Sequence, residues 1–216
     1  MRVETDSAAH SCGAFLDTPK RFQYDMGQME QQWMTLENFW VYCRNHPVSP
    51  LLRMLISSDG TLVRSFTSLF LAPITVELVE QKETVIDDVS AERLEIPKGE
   101  KAFERTVWLS PHNERSEDKR CLYAVSLFPI AKMQPALYQD MRLGEKPIGR
   151  IIEERGLSAL RDRLEIAYLP FPEVAKGLNQ VEESLFWARR YRLTLSEHIS
   201  AIISEVLSPR LSSFSS

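Results

Sequence analysis

The sequence predicts an α+β fold: a single antiparallel sheet with flanking helices. Three observations carry this. Period-two alternation of apolar and polar residues recurs from residue 74 onward, as in strands with one buried face. Two apolar stretches, 102–109 and 121–128, bracket the charged run 110–120, and strands joined by a polar tip pair antiparallel. Helical periodicity is set apart from these runs of strands, which separates α+β from a strictly alternating α/β chain.

The elements follow in order. Residues 1–20 are polar and irregular and read as a loose arm. In 27–45, Met29, Trp33, Leu36, Phe39, Trp40 and Cys43 recur every three or four residues, predicting an amphipathic helix stopped at His46-Pro47. That stripe reads as a packing face, not a cofactor box. Ser49-Pro50 leads into Leu51-Leu52-Arg53-Met54-Leu55, and Asp59 is placed to cap a helix running to about Phe70 and ended by Pro73. Ile74, Val76 and Leu78 begin a strand, and Asp87-Asp88 reads as a connection. Strands are expected at 102–109, 121–128, 162–169 and 185–195. Short helices are expected at 134–141, at 148–155, and from Pro172 to about Gly177. The stretch Ile199–Leu207 fits two periods. As a helix it turns Glu205 away from the isoleucines; as a strand it sets Glu205 in an apolar row with Ile203 and Leu207.

Composition narrows the function. At 216 residues the chain predicts one domain able to bury a core without disulfides. A 44% hydrophobic fraction excludes general disorder. A net charge of −4 argues against nucleic-acid binding by bulk charge and against attraction to an anionic membrane. It does not exclude a small anion, which one buried arginine can hold. No signal-peptide core and no spanning run of ~18 apolar residues is present, so the expected location is the cytoplasm. Cys12, Cys43 and Cys121 are scattered and odd in number, which fits a reduced compartment. His10, His46, His112 and His198 are scattered too. Cys43 and His46 could share a helix face, but two ligands do not make a metal site.

Gly144-Glu145-Lys146-Pro147-Ile148-Gly149-Arg150 lacks the Gly-Lys-Ser/Thr ending of a phosphate loop. No nucleophile elbow or dinucleotide fingerprint occurs. Arg105 stands out, because a regular strand puts it in an apolar row with Phe103 and Val107. A guanidinium there needs an anion, since an unpaired buried charge costs several kcal/mol. Composition alone puts a protein carboxylate ahead of a ligand carboxylate. Glu205, if on a strand, is a desolvated carboxylate able to bond a hydroxyl or carry a proton. Arg189, Arg190 and Arg192, interleaved with Trp187 and Tyr191, read as a solvated strand face, with Arg189 opposite to the other two.

Several stretches, taken in order, resemble the chorismate pyruvate-lyase family. They are Asp59–Arg64, the strand with Arg105, Tyr123–Pro129, Gly144–Arg150, Phe186–Leu193 and Ser204–Pro209. The resemblance implies flap-like loops over an internal ligand cavity, neither metal nor organic cofactor, and chorismate as the small-molecule substrate. It maps the carboxylate-binding arginine to Arg105 and the glutamate that contacts the ring hydroxyl to Glu205. It places Leu62 and Ile148 against the ring. Better-known members carry an arginine near the strand ending at Pro129, where this chain has Val125, so a second anionic contact must come from elsewhere. The implied domain map is an arm and helix over 1–48 within the same domain, a lyase-like domain over 49–210, and a tail over 211–216. A monomer is the default expectation. The alternatives are a non-catalytic module sensing small aromatic acids, or a lyase on a related enolpyruvyl substrate.

Overall fold

The period-two stretches of the sequence meet in one sheet. The structure is a computed structural model that describes residues 32–112, 119–196 and 199–215. The described residues form, in chain order, β1 (Met34–Thr35), α1 (Leu36–Asn45), α2 (Pro50–Ser57), α3 (Leu62–Phe70), β2 (Ile74–Val85), α4 (Asp88–Leu94), β3 (Lys101–Pro111) and β4 (Leu122–Pro129). They continue with α5 (Pro135–Leu143), α6 (Ile148–Glu154), β5 (Ala159–Pro170), α7 (Pro172–Gly177), β6 (Leu185–Leu195) and β7 (Ile199–Leu207), and end in a 3-10 turn over Pro209–Ser215. The strand order is β1-β5-β6-β7-β4-β3-β2, every pair antiparallel. No helix among the described residues is long and apolar enough to cross a membrane.

The register sorts the side chains into two faces. Arg105 lies opposite Ser126, Ser126 opposite Ile203, and Ile203 opposite Tyr191. One step along, Val107, Ala124, Glu205 and Arg189 make the next row. Two apolar clusters cover this face. The α1–α3 segment contributes Phe39, Leu55, Leu62 and Phe66 to the first. The α5–α6 segment contributes Leu137, Met141, Ile151 and Ile152 to the second. The other face carries Trp108 edge-on to Tyr123, 4.9 Å between ring centroids. Gly177 at the end of α7 lies so close to it that an added Cβ would meet Trp108 Cζ2 at 2.6 Å.

Local chemistry explains most boundaries. The Thr35 and Ser49 side chains accept from Asn38 and Leu52 N–H and cap α1 and α2. Pro135 and Pro172 occupy first-turn positions, where a missing N–H costs no helical bond. The expected cap at Asp59 is corrected: α3 starts from Thr61, and Asp59 stays in the preceding turn. The connection read at Asp87-Asp88 is a helix, with the Asp87 carboxylate accepting from Ser90 N–H at 2.8 Å. Ile199–Leu207 is a strand because β4 and β6 take both its edges. The helix expected over 27–45 is corrected: it begins only at Leu36, because Met34–Thr35 pair with β5 and Thr35 is the cap. The arm over 1–20, residues 27–31, Cys12, His10, residues 113–118 of the hairpin tip, Glu197 and His198 lie outside the described residues.

Residues 34–45 join the same unit as the rest: β1 pairs with β5, and Phe39 is fully buried. Beyond the last strand, Leu211 is also fully buried in the first cluster. Leu211→Ala is expected to cost about 2–5 kcal/mol, the range for a buried leucine deletion. A urea titration should show a lower midpoint with an unchanged slope; an unchanged midpoint would mark residues 211–216 as a dispensable tail.

Candidate active site

Between the two apolar clusters the sheet face turns polar. Arg105, Ser126, Tyr191 and Glu205 line an internal cavity of about 50 Å³ with Arg161 from β5. Thr61 and Val63 from the start of α3, and Pro147, Ile148 and Gly149 from the start of α6, close it. It is far smaller than the ~300 Å³ at the lower end of ordinary ligand pockets. A ring-sized ligand therefore does not fit the cavity at this size. The seam between α3 and α6 is tight: a Cβ on Gly149 would overlap Thr61 Oγ1 and come within 3.2 Å of Thr61 Cβ. A larger groove of about 550 Å³, beside Trp187 and Tyr168, has no charged side chain among the described residues that line it. Those residues offer a carboxylate ligand no counter-charge.

Arg105 is 1% exposed. Its Nη2 donates to the carbonyls of Gly144 and Lys146, at 3.0 and 2.9 Å. Gly144 ends α5 with φ of 73°, a left-handed turn that glycine adopts without strain, and so brings the loop back over the arginine. Nε and Nη1 are buried with no partner. The expected protein ion pair is thus corrected: among the described residues no carboxylate answers Arg105. Burial without a counter-charge pulls the pKa of its guanidinium down to about 10. The structure leaves two donor nitrogens open to an anion.

Glu205 is nearly buried, and its Oε2 accepts from Arg189 Nε at 2.6 Å. Arg189 is fully buried, which corrects the reading of this arginine cluster as a solvated face. Its Nη1 donates to Leu55 O and Ser58 O, at 3.0 and 2.7 Å, tying β6 to the end of α2. Burial pulls Arg189 down, but Glu205 and Tyr191 together outweigh it and raise the guanidinium above its usual value. Burial, then the Glu205 charge, push the Tyr191 phenol well above its usual value. Arg190 pairs with Glu165 at 2.8 Å and Arg192 with Asp162 at 2.6 Å, both on the opposite face.

Of the four residues singled out in the sequence, Arg105, Ile148 and Glu205 line the same cavity. Leu62 does not; it is buried with Phe66 in the first cluster. Positions i and i+4 share a helix face, so Leu62 and Phe66 turn together into the core and Val63, one residue on, reaches the cavity. Val125 faces away, one residue out of register with Ser126. Sequence reasoning missed Arg161, Tyr191 and Arg189 as site residues. The alternation around Tyr191 was the available signal for the last two. Among the described residues no group of three or more His, Cys, Asp and Glu side chains is placed to hold a metal.

The sequence profile of the chorismate pyruvate-lyase Rv2949c-like family matches residues 56–215. The chain belongs to this family. It is 30% identical over 165 residues to a protein of Pseudomonas aeruginosa named probable chorismate pyruvate-lyase, covering 76% of this chain and 86% of the relative. In fold it is similar to the effector domain of PhnF from Mycobacterium smegmatis, with a TM-score of 0.54 and 15% identity over 70% of this chain and 90% of that one. The longer PhnF structure also gives a TM-score of 0.54, with 16% identity over 71% of this chain and 66% of PhnF. The family match spans every cavity-lining residue named above.

Two outcomes follow from this geometry. Glu205→Ala leaves the Arg189 charge buried without its carboxylate and should destabilise the fold by about 3–5 kcal/mol. The Arg189→Met/Glu205→Leu double variant should regain most of that in the same unfolding titration; no recovery would mean the pair is not the cause. Gly149→Ala should cost about 1–3 kcal/mol through overpacking at the seam. Adding Thr61→Ala should relieve most of the loss in thermal midpoint.

Proposed function

We propose that this chain is a chorismate pyruvate-lyase, which eliminates pyruvate from chorismate to give 4-hydroxybenzoate. The observation that carries the reading is Arg105, a buried guanidinium with two unpartnered donor nitrogens in a cavity that also contains Glu205. A ligand carboxylate would supply the missing counter-charge by accepting from Nε or Nη1, since Nη2 is already held by the Gly144 and Lys146 carbonyls. Family membership and the Pseudomonas aeruginosa relative support the same substrate.

The chemistry asks little of the protein. The ring carbon–ether oxygen bond breaks, and the neighbouring hydroxyl-bearing carbon gives up its proton. The ring becomes aromatic, and the released enolpyruvate takes up a proton to become pyruvate. Aromatisation supplies the driving force, so positioning and a few directed charges suffice, and the reading calls for no cofactor. In this reading Arg105 grips the ring carboxylate and Glu205, held by Arg189, accepts from the ring hydroxyl. Ile148 and, in place of the expected Leu62, Val63 pack against the ring and exclude water.

Purified protein given chorismate should release pyruvate and 4-hydroxybenzoate in equal amounts, measured by coupled assay and chromatography. Folded protein that yields neither, yet binds 4-hydroxybenzoate tightly, would instead support a sensing module built on the fold shared with the PhnF effector domain. Arg105→Ala should lower kcat/KM by about 10²–10⁴-fold, equivalent to about 3–5 kcal/mol of lost transition-state binding. A change of only a few-fold would remove Arg105 from the site.

A further inference from the structure

The proposed substrate has two carboxylates, and Arg105 accounts for one. We infer that Arg161 holds the second, that of the enolpyruvyl group; this rests on the lyase reading above. Arg105 and Arg161 are the two cationic side chains among the described cavity-lining residues. They stand at opposite ends of the polar face. β3 and β5 are separated by β4, β7 and β6, four strand spacings or about 19 Å along the sheet. Both side chains nevertheless reach the same cavity, so a small dianion admitted to a widened cavity would have a guanidinium within reach of each end.

Arg161 has the chemistry for the role. Its Nε is buried without a partner, as are Nε and Nη1 of Arg105. Its Nη1 donates to Asp59 O at 3.1 Å, in the turn that leads into Thr61. Its guanidinium carbon lies 5.8 Å from the centre of the Tyr191 ring, which supports it from beneath. The other arginine nearby, Arg189, also has one buried nitrogen, Nη2, without a partner, but its charge is answered by Glu205 and it is not among the residues lining the cavity. Val125 is on the wrong face. Arg161 faces the cavity because of a bulge between Asp162 and Glu165. Glu165 has the same parity as Arg161 yet pairs with Arg190 on the far face, whereas Arg161 pairs with Leu193 on the cavity face. An anion bound here would touch the strand beside the bulge and, through Asp59, the turn that closes the cavity.

The test uses two unreactive aromatic probes and calorimetry. Benzoate has one carboxylate. 3-(1-Carboxyvinyloxy)benzoate has both, and its ring is already aromatic, so nothing can be eliminated. Arg161→Gln should weaken the dicarboxylate at least ten-fold and leave benzoate within two-fold, while Arg161→Lys retains part of the difference. With chorismate, Arg161→Gln should raise KM by a similar factor and leave inhibition by 4-hydroxybenzoate unchanged. Equal weakening of both probes, or of neither, overturns the assignment. If wild-type protein prefers the dicarboxylate through Arg161 but does not turn over chorismate, the lyase reading falls and the two-arginine site stands. If it binds neither probe, both fall.

Discussion

Arg105 carries a full positive charge on a sheet face where only two backbone carbonyls answer it. An isolated buried charge is among the most costly features a fold can contain, and partial hydrogen bonding lowers that cost without removing it. Much of the surrounding structure acts on this constraint. Gly144 turns the chain back so that the loop after α5 presents its carbonyls to the guanidinium. Gln81 Nε2 donates to Arg142 O just upstream at 2.8 Å, fastening that segment to β2. The same loop feeds α6, whose first turn closes on Thr61. The loop that solvates the arginine and the α6 side of the cavity's closure are therefore one continuous piece of chain.

The second charged feature works differently. Arg189 and Glu205 are adjacent on neighbouring strands, paired with each other, and fastened to the end of α2 by two carbonyls. Such a pair contributes little net stability compared with apolar residues of the same size. What it supplies is orientation: the carboxylate is fixed on a rigid strand, at the edge of a cavity, with one oxygen held. The polar face thus has an arginine with open donors and a carboxylate with a fixed position. That division suits a ligand with an acid at one end and a hydroxyl along its ring.

Much of the fold was legible from local chemistry. Long strands with alternating side chains, prolines at first helical positions and Pro129 at a strand end act over a few residues, and the structure follows them. The failures also have local causes. Asp59 has the right side chain for a cap, but Gly60 and Thr61 extend the turn and move the helix start two residues on. Asp87 caps a helix of only seven residues, too short for its periodicity to stand out. Leu62 and Val63 are equally apolar, and only the packing of Phe66 into the core decides which of the two reaches the cavity.

Residue types and their spacing were enough for an antiparallel α+β fold, for Arg105 in a buried strand, and for the ordered stretches that mark the family. These depend on residue type and on period, which a linear chain displays. Which charges meet was settled in the assembled sheet. Arg105 lacks a carboxylate and Glu205 has one arginine because strand order, not sequence distance, sets the neighbours. Arg161 reaches the cavity because one bulge reverses the parity of β5, so that strict alternation would have sent it to the other face. Long-range pairing and a single irregularity in register are properties of the assembled sheet, and no local pattern in the chain encodes them.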